Sequence, residues 1–179
     1  RACLAAGRQA LADGANALAV DLLEYAVGTG IEPDPRFHLW LGEALRREDR
    51  FEAARERLEL ALSAATDPVS RAEILLELGT VFRDTWDADG VLDCVRRGVA
   101  ELGAPMPRIA LVRVARGVAL ALAALLTVLT RVGVGTATGR RLRRHELITA
   151  LHHLGGYAGT VSLRPGVTVL HNLYSAYSI

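Results

Sequence analysis

Apolar residues recur along the chain at steps of three and four, the period of a helix with one buried face. Over this runs a longer spacing that three segments share. Gly7 is followed by Ala19, Leu23 and Ala26; Leu41-Gly42 by Ala54, Leu58 and Ala61; Leu78-Gly79 by Val91, Val95 and Gly98. Counting each glycine as position i, the three landmarks fall at i+12, i+16 and i+19 in every segment. A helical hairpin accounts for this spacing. Small residues on both helices permit close approach, and the large residue four positions on fills the seam. One hairpin cannot bury both of its faces, so hairpins must stack.

The residues between the periodic stretches agree with this reading. Asp34-Pro35 and Asp67-Pro68, 33 residues apart, each offer a capping acid followed by Pro at the first helical position and so open a first helix. Asp13-Gly14 supplies a turn. Asp49 and Glu52 have the spacing of a capping pair that opens a helix. The pattern predicts helices over 2–12, 15–28, 35–48, 50–64, 68–85 and 88–102, forming three hairpins in residues 1–103. Gly103 and Pro105–Pro107 then end the third hairpin in an extended linker.

Residues 104–140 are read as that linker, a long amphipathic helix and a Gly-rich turn. Leu111, Val114, Val118, Leu122, Leu125, Leu129 and Val132 form one apolar face, with Arg113, Arg116, Thr127, Thr130 and Arg131 mostly on other arcs. The uncharged run from Gly117 to Thr130 falls short of the roughly 20 residues that a spanning helix needs. A packed soluble helix is expected here. A membrane-surface helix, supported by the neighbouring arginines, and a true span are the alternatives. Residues 141–179 read as one more hairpin, cut short. Its first helix runs over 141–160 with a seam at Leu147, Leu151 and Leu154-Gly155, then a turn at 162–166, and a second helix starts from Val167.

Composition supports helix over sheet: Ala, Leu, Arg and Glu dominate, and aromatics are 5% of the chain. A charged fraction of 23% beside an apolar fraction of 51% excludes global disorder. All 21 basic residues are Arg, which removes Schiff-base and phosphate-loop lysines from consideration. The net charge of +1 hides an asymmetry. Residues 1–103 hold 19 of the 20 acids and 12 arginines, a balance of −7; residues 104–179 hold Glu146 and nine arginines, a balance of +8. Either the two parts differ in role or they attract one another.

Candidate chemistry is sparse. Cys3 and Cys94 have no metal or redox spacing and read as small buried apolar residues. Gly133–Gly139 fails as a phosphate loop, because only three residues separate Gly135 from Gly139 and Arg140-Arg141 follow. His145, His152, His153 and His171 are candidate metal ligands, but their spacing favours ordinary seam or surface histidines. The basic cluster Arg140, Arg141, Arg143 and Arg144 lacks interleaved aromatics, so nucleic acid is not expected as a partner. It is read as a solvated face or as a match for the acidic N-terminal part. Tyr157, Tyr174 and Tyr177 read as aromatics within the last hairpin. No catalytic residue, metal or cofactor is expected.

The glycine–alanine–leucine spacing of residues 1–103 resembles the tetratricopeptide repeat (TPR), with Leu41, Gly42, Ala54, Leu58 and Ala61 as the best match. It departs from that family where Leu4 and Leu45 stand in place of aromatics and Gly98 in place of alanine. The resemblance implies an all-α, right-handed α-solenoid of stacked antiparallel hairpins. The linker Leu102–Pro107, the Leu/Arg-rich helix, Arg164-Pro165 and Asn172-Leu173 look like the helical region of large bacterial AAA/STAND-type signalling ATPases. Such proteins carry nucleotide cyclase, Ser/Thr kinase or LuxR-type output domains. Tyr174-Ser175 departs from that pattern.

The expected function is a non-catalytic, cytoplasmic interaction or sensor scaffold, an internal piece of such a regulator. Its partner would be a protein or peptide, or another domain of the same chain. By repeat position, Arg8, Glu43, Arg46, Arg47, Thr80, Arg83 and Asp84 line the concave face. The alternatives are a free-standing repeat adaptor and a membrane-associated repeat protein anchored through 109–132; the membrane is disfavoured.

Overall fold

The computed structural model describes residues 2–28, 35–130 and 138–175, with side chains described for 5–26 of the first stretch. The described residues form nine α-helices and no strand: α1 (Ala2–Ala12), α2 (Asn16–Gly28), α3 (Pro35–Arg47), α4 (Phe51–Ala64), α5 (Pro68–Asp84), α6 (Ala88–Glu101), α7 (Ala110–Thr130), α8 (Arg140–Val161) and α9 (Pro165–Ser175). The protein is all-α, and its helix bounds lie close to those the periodicity predicts.

Helices α1/α2, α3/α4, α5/α6 and α8/α9 pack as pairs. The first helices of successive pairs also touch in series, α1 on α3, α3 on α5, and α5 on α8. Each second helix touches the next first helix, α2 on α3, α4 on α5 and α6 on α8. The fourth pair therefore sits directly on the third, and α7 is an excursion between them.

The recurrent glycines do what their spacing implies. A Cβ on Gly7 would lie 2.8 Å from Leu23 Cγ, and one on Gly42 would lie 2.6 Å from Leu58 Cγ. The third segment departs from this scheme. Gly79 faces Cys94 and Leu154 rather than Val95, and Gly98 receives Leu151 of α8. Gly98 thus leaves α6 intact to Glu101 and serves the contact with the next pair. Two apolar clusters result. One gathers Leu23, Leu41, Leu45, Leu58 and Leu75 from helices α2 to α5. The other gathers Val91, Val95, Val99, Leu147 and Leu151 from α6 and α8. Phe82 packs against both.

Several turn and cap assignments hold in the structure. Gly14 and Gly103 adopt φ of +77° and +69°, as a tight turn and a helix stop require. The Asp67 carboxylate accepts from Ser70 N at 3.0 Å and caps α5. The Asp49–Glu52 capping pair is corrected. Arg50 holds the cap position of α4 with no side-chain cap bond, and Asp49 instead takes φ +58° to close the turn. Asp tolerates that left-handed conformation better than most residues. Asp34, Arg131, Val132, the Gly133–Ala137 part of the turn, Tyr177 and the side chains of Cys3 and Leu4 lie outside the described residues.

The largest correction concerns α7. Its periodicity assigns Leu111, Val114, Val118, Leu122, Leu125 and Leu129 to a buried face. All six are exposed, Leu111 at 79% and Leu129 at 70%. Its only fully buried residue is Gly117, and its half-buried ones are Arg113, Leu120, Ala121, Ala124 and Thr127. Gly117 sits against the Tyr174 ring and Leu173 of α9, and the Tyr174 hydroxyl donates to Arg113 O at 3.1 Å. The helix is therefore held by the side that carries its small residues, with Leu120 as the one large apolar side chain there. Periodicity finds the apolar face of a helix but says nothing of which face the neighbour takes. Glycine at the contact admits α9 more closely than a leucine ridge does.

Candidate functional site

The candidate residues come together on α1, α3 and α5, the first helices of three successive pairs. Arg46 bridges α3 to α5: its Nε meets Glu77 at 2.6 Å and its Nη1 meets Asp84 at 3.0 Å. Burial works against this guanidinium's charge, but Glu77 and Asp84 outweigh it and raise its pKa. Arg47 bridges α3 to α1 by donating to Leu11 O at 3.1 Å, and it also pairs with Glu43 one turn earlier. Burial, followed by the charge of Glu77, holds the Glu43 carboxyl above its ordinary range against the pull of Arg47 and Arg46. The Arg8 guanidinium lies 5.4 Å from the Trp40 ring centroid, a second α1–α3 link.

The polar face therefore directs much of its charge inward. Arg46 belongs to the stack itself, a role that repeat position alone does not distinguish from partner binding. Arg46→Ala is expected to lower unfolding free energy by about 1–2 kcal/mol, between the small worth of exposed pairs and the larger cost of breaking buried ones. Urea denaturation measures this. A change within experimental error would mean that the pair is not holding α3 to α5.

Thr80, Arg83 and Asp84 continue the face on α5. Thr80 Oγ1 donates to Leu76 O one turn back. Arg83 grips Asp84 Oδ1 through Nε and Nη2 at 3.0 and 2.8 Å, yet more than a third of its side chain is exposed. It lines a cleft of about 460 Å³ between α5 and α8, with Leu76, Thr80, Ala150, His153 and Tyr157. Sequence reasoning names His153 as a candidate metal ligand and Tyr157 as a hairpin aromatic but does not place either on this face. The signal is present in the run Ala150, His153, Leu154, Tyr157, which keeps to one face of α8. Tyr157 is expected inside the hairpin and is 42% exposed instead.

The arginine cluster meets the acidic part of the chain. Arg140 pairs with Asp67, Arg143 with Glu73 at 2.8 Å, and Arg164 with Asp89 at 2.8 Å. Arg144 donates to Leu102 O at 2.7 Å. The charge asymmetry read from the sequence thus ties the fourth pair to the third.

Among the histidines, His152 and His171 form a buried pair with their Nδ1 atoms 3.1 Å apart. Tyr174 stacks at a tilt on His152, with ring centroids 5.3 Å apart. His171 stands at i+16 from Gly155, the place that Leu23 and Leu58 take from Gly7 and Gly42. A Cβ on Gly155 would lie 2.6 Å from its ring. The fourth pair therefore keeps the repeat register with a histidine in the leucine position. Among the described residues, no group of three or more His, Cys, Asp and Glu side chains is placed to hold a metal ion. The Cys94 thiol is buried, and burial pushes its pKa up to about 12, so it is a poor nucleophile.

Comparison with known protein families, with curated proteins and with solved structures finds no match to this chain.

Proposed function

We propose that this chain is a non-catalytic interaction scaffold, a right-handed TPR-like α-solenoid whose first-helix face receives a polar segment of another protein or domain. The observation that carries this reading is the repeated seam: Gly7 on Leu23, Gly42 on Leu58 and Gly155 on His171, all at one shared spacing, in pairs whose first helices touch in series. Such stacking makes an extended surface lined by one helix of each pair. On that surface Arg83, Thr80, His153 and Tyr157 surround a cleft open to solvent, while Arg8 extends the face on α1. The mixture of cation, hydroxyl, imidazole and phenol suits an extended peptide carrying carboxylates. The linker and last hairpin support a setting within a cytoplasmic bacterial signalling ATPase, where the array would sense a partner and control an output domain.

Peptide-array screening of the 179-residue chain, followed by titration of the best peptide, tests the surface. Arg83→Glu/Tyr157→Ala is expected to weaken that peptide at least about tenfold, as the loss of one charged and one aromatic contact implies. The fold should be retained with a small fall in unfolding temperature, since Tyr157 is exposed and the partly exposed Arg83–Asp84 pair is lost. Unchanged affinity would overturn the assignment of the face. Sequencing the gene on either side tests the setting: an upstream Gly-x-x-x-x-Gly-Lys-Ser/Thr loop supports the ATPase reading, and a gene without one sinks it.

A further inference from the structure

The α7 helix presents its apolar side to solvent over its whole length. Leu111, Val114, Val118, Leu122, Leu125, Leu126 and Leu129 are between 43% and 79% exposed. The helix is 21 residues with a mean hydropathy of 1.9, and 6% of its most apolar window is buried. At helical spacing these side chains fall on about a third of the circumference. The opposite arc carries Arg113, Gly117, Leu120, Ala124 and Thr127, the side that meets α9 at Gly117. A convex ridge of leucine and valine of this size is far beyond the scattered apolar residues of an ordinary surface.

We propose that α7 lies in the plane of an anionic lipid surface, with its leucine side in the acyl boundary and the helical pairs above it. Three observations choose this occupant. First, the charge fits. Glu146 is the only acid among residues 104–179, whereas Arg108 and Arg116 stand exposed at the start of the helix and Arg113 lies on the arc that meets α9. Arg108 and Arg116 are exposed and make no ion pair among the described residues, which leaves their charge for phosphate headgroups. Second, the exposed side is a run of leucine and valine, and acyl chains conform to such a ridge without a complementary groove. Third, α9 already grips the opposite arc through Gly117, so the helix is fixed with its apolar side outward. By length and hydropathy the helix is sufficient to cross a membrane; it is the attachment to α9 that places it along the surface and not across it. The peptide face on α1, α3 and α5 is separate, so either proposal can fail without the other.

The test is flotation of the 179-residue chain with vesicles of phosphatidylcholine, alone or mixed with phosphatidylserine. The protein is expected to float with the mixed vesicles, and less so as salt is raised. Leu122→Glu/Leu125→Glu should lower that binding more than about tenfold, since two leucines leave the acyl boundary. Its circular dichroism and unfolding temperature should be retained, because neither leucine is buried in the fold. Failure of the wild-type protein to float would overturn the proposal, as would flotation of the variant equal to wild type. Equal flotation with neutral vesicles would overturn the role of the arginines. A dimer in solution that the variant abolishes, without flotation, would assign the same face to a second copy of the chain instead.

Discussion

Leu58→Ala is expected to remove about 2–5 kcal/mol of unfolding free energy, the range for a buried leucine whose site collapses only in part. Leu58 is fully buried, in the seam between α3 and α4 and within the first apolar cluster. Against a domain's usual margin of about 5–15 kcal/mol this is a large fraction. The same seam makes Gly42 intolerant of a side chain. A Cβ there would lie 2.6 and 2.8 Å from Leu58 Cγ and Cδ2, and 3.3 Å from Ala54 O. Gly42→Ala alone should gain about 1 kcal/mol in helix propensity and lose about 1–3 kcal/mol to overpacking, for a modest net cost. In the Leu58→Ala background the colliding carbons are gone, and the added methyl occupies part of the cavity. The double variant is therefore expected to be more stable than the sum of the single effects by about 1–3 kcal/mol. Urea unfolding of the four proteins closes this cycle. Strict additivity would show that the glycine and the leucine do not share a seam, and the repeat reading would lose its physical basis.

That seam is legible in the sequence because its cause is local: a glycine, a leucine at i+16, and punctuation between them. Helix bounds follow for the same reason. Features that depend on where one helix lands on another are not legible. Gly98 meets Leu151, which belongs to a later pair, and no spacing within a single hairpin reports that. Arg46 reads as a surface residue because helix position alone does not reveal that Glu77 and Asp84 of α5 reach it. The amphipathicity of α7 is legible, but its orientation is decided by a contact between Gly117 and α9. The charge asymmetry is legible, but the sequence does not decide between different roles and mutual attraction; the pairs with Asp67, Glu73 and Asp89 do.

The fourth pair carries a consequence that the other seams lack, because histidines fill it. Burial lowers the His152 pKa to about 3, helped by the charges of His171 and His153. Burial lowers His171 to about 4, helped by Arg113. Both imidazoles are neutral at pH 7, and one Nδ1 donates to the other. In the unfolded chain each would titrate near 6.5, so between that value and the folded values the unfolded chain binds more protons. Stability is therefore complete above about pH 6.5 and falls as the pH drops toward 4. At about 1.4 kcal/mol per unit, the loss by pH 5 approaches about 2 kcal/mol for each histidine. The Asp67 carboxyl, whose pKa is lowered first by the Ser70 backbone hydrogen bond, loses its contribution only at lower pH, below its ordinary 3.8. His38, lowered by burial and then by Arg57, adds to the fall as the pH drops below its ordinary 6.5.

Substitution separates these contributions. His171→Leu alone leaves His152 Nδ1 buried without a partner, and should cost about 1–3 kcal/mol at neutral pH. His152→Phe/His171→Leu removes both polar groups and puts leucine where Leu23 and Leu58 stand in their own seams. Replacing both partners by apolar groups of similar shape is nearly neutral at pH 7. The double variant should then lose most of the acid sensitivity between pH 6.5 and 5, with the slope of His38 remaining. Unfolding midpoints in urea across that range measure it. If the double variant keeps the wild-type slope, the buried histidine pair is not what acid attacks, and the fourth seam is held by its apolar contacts alone.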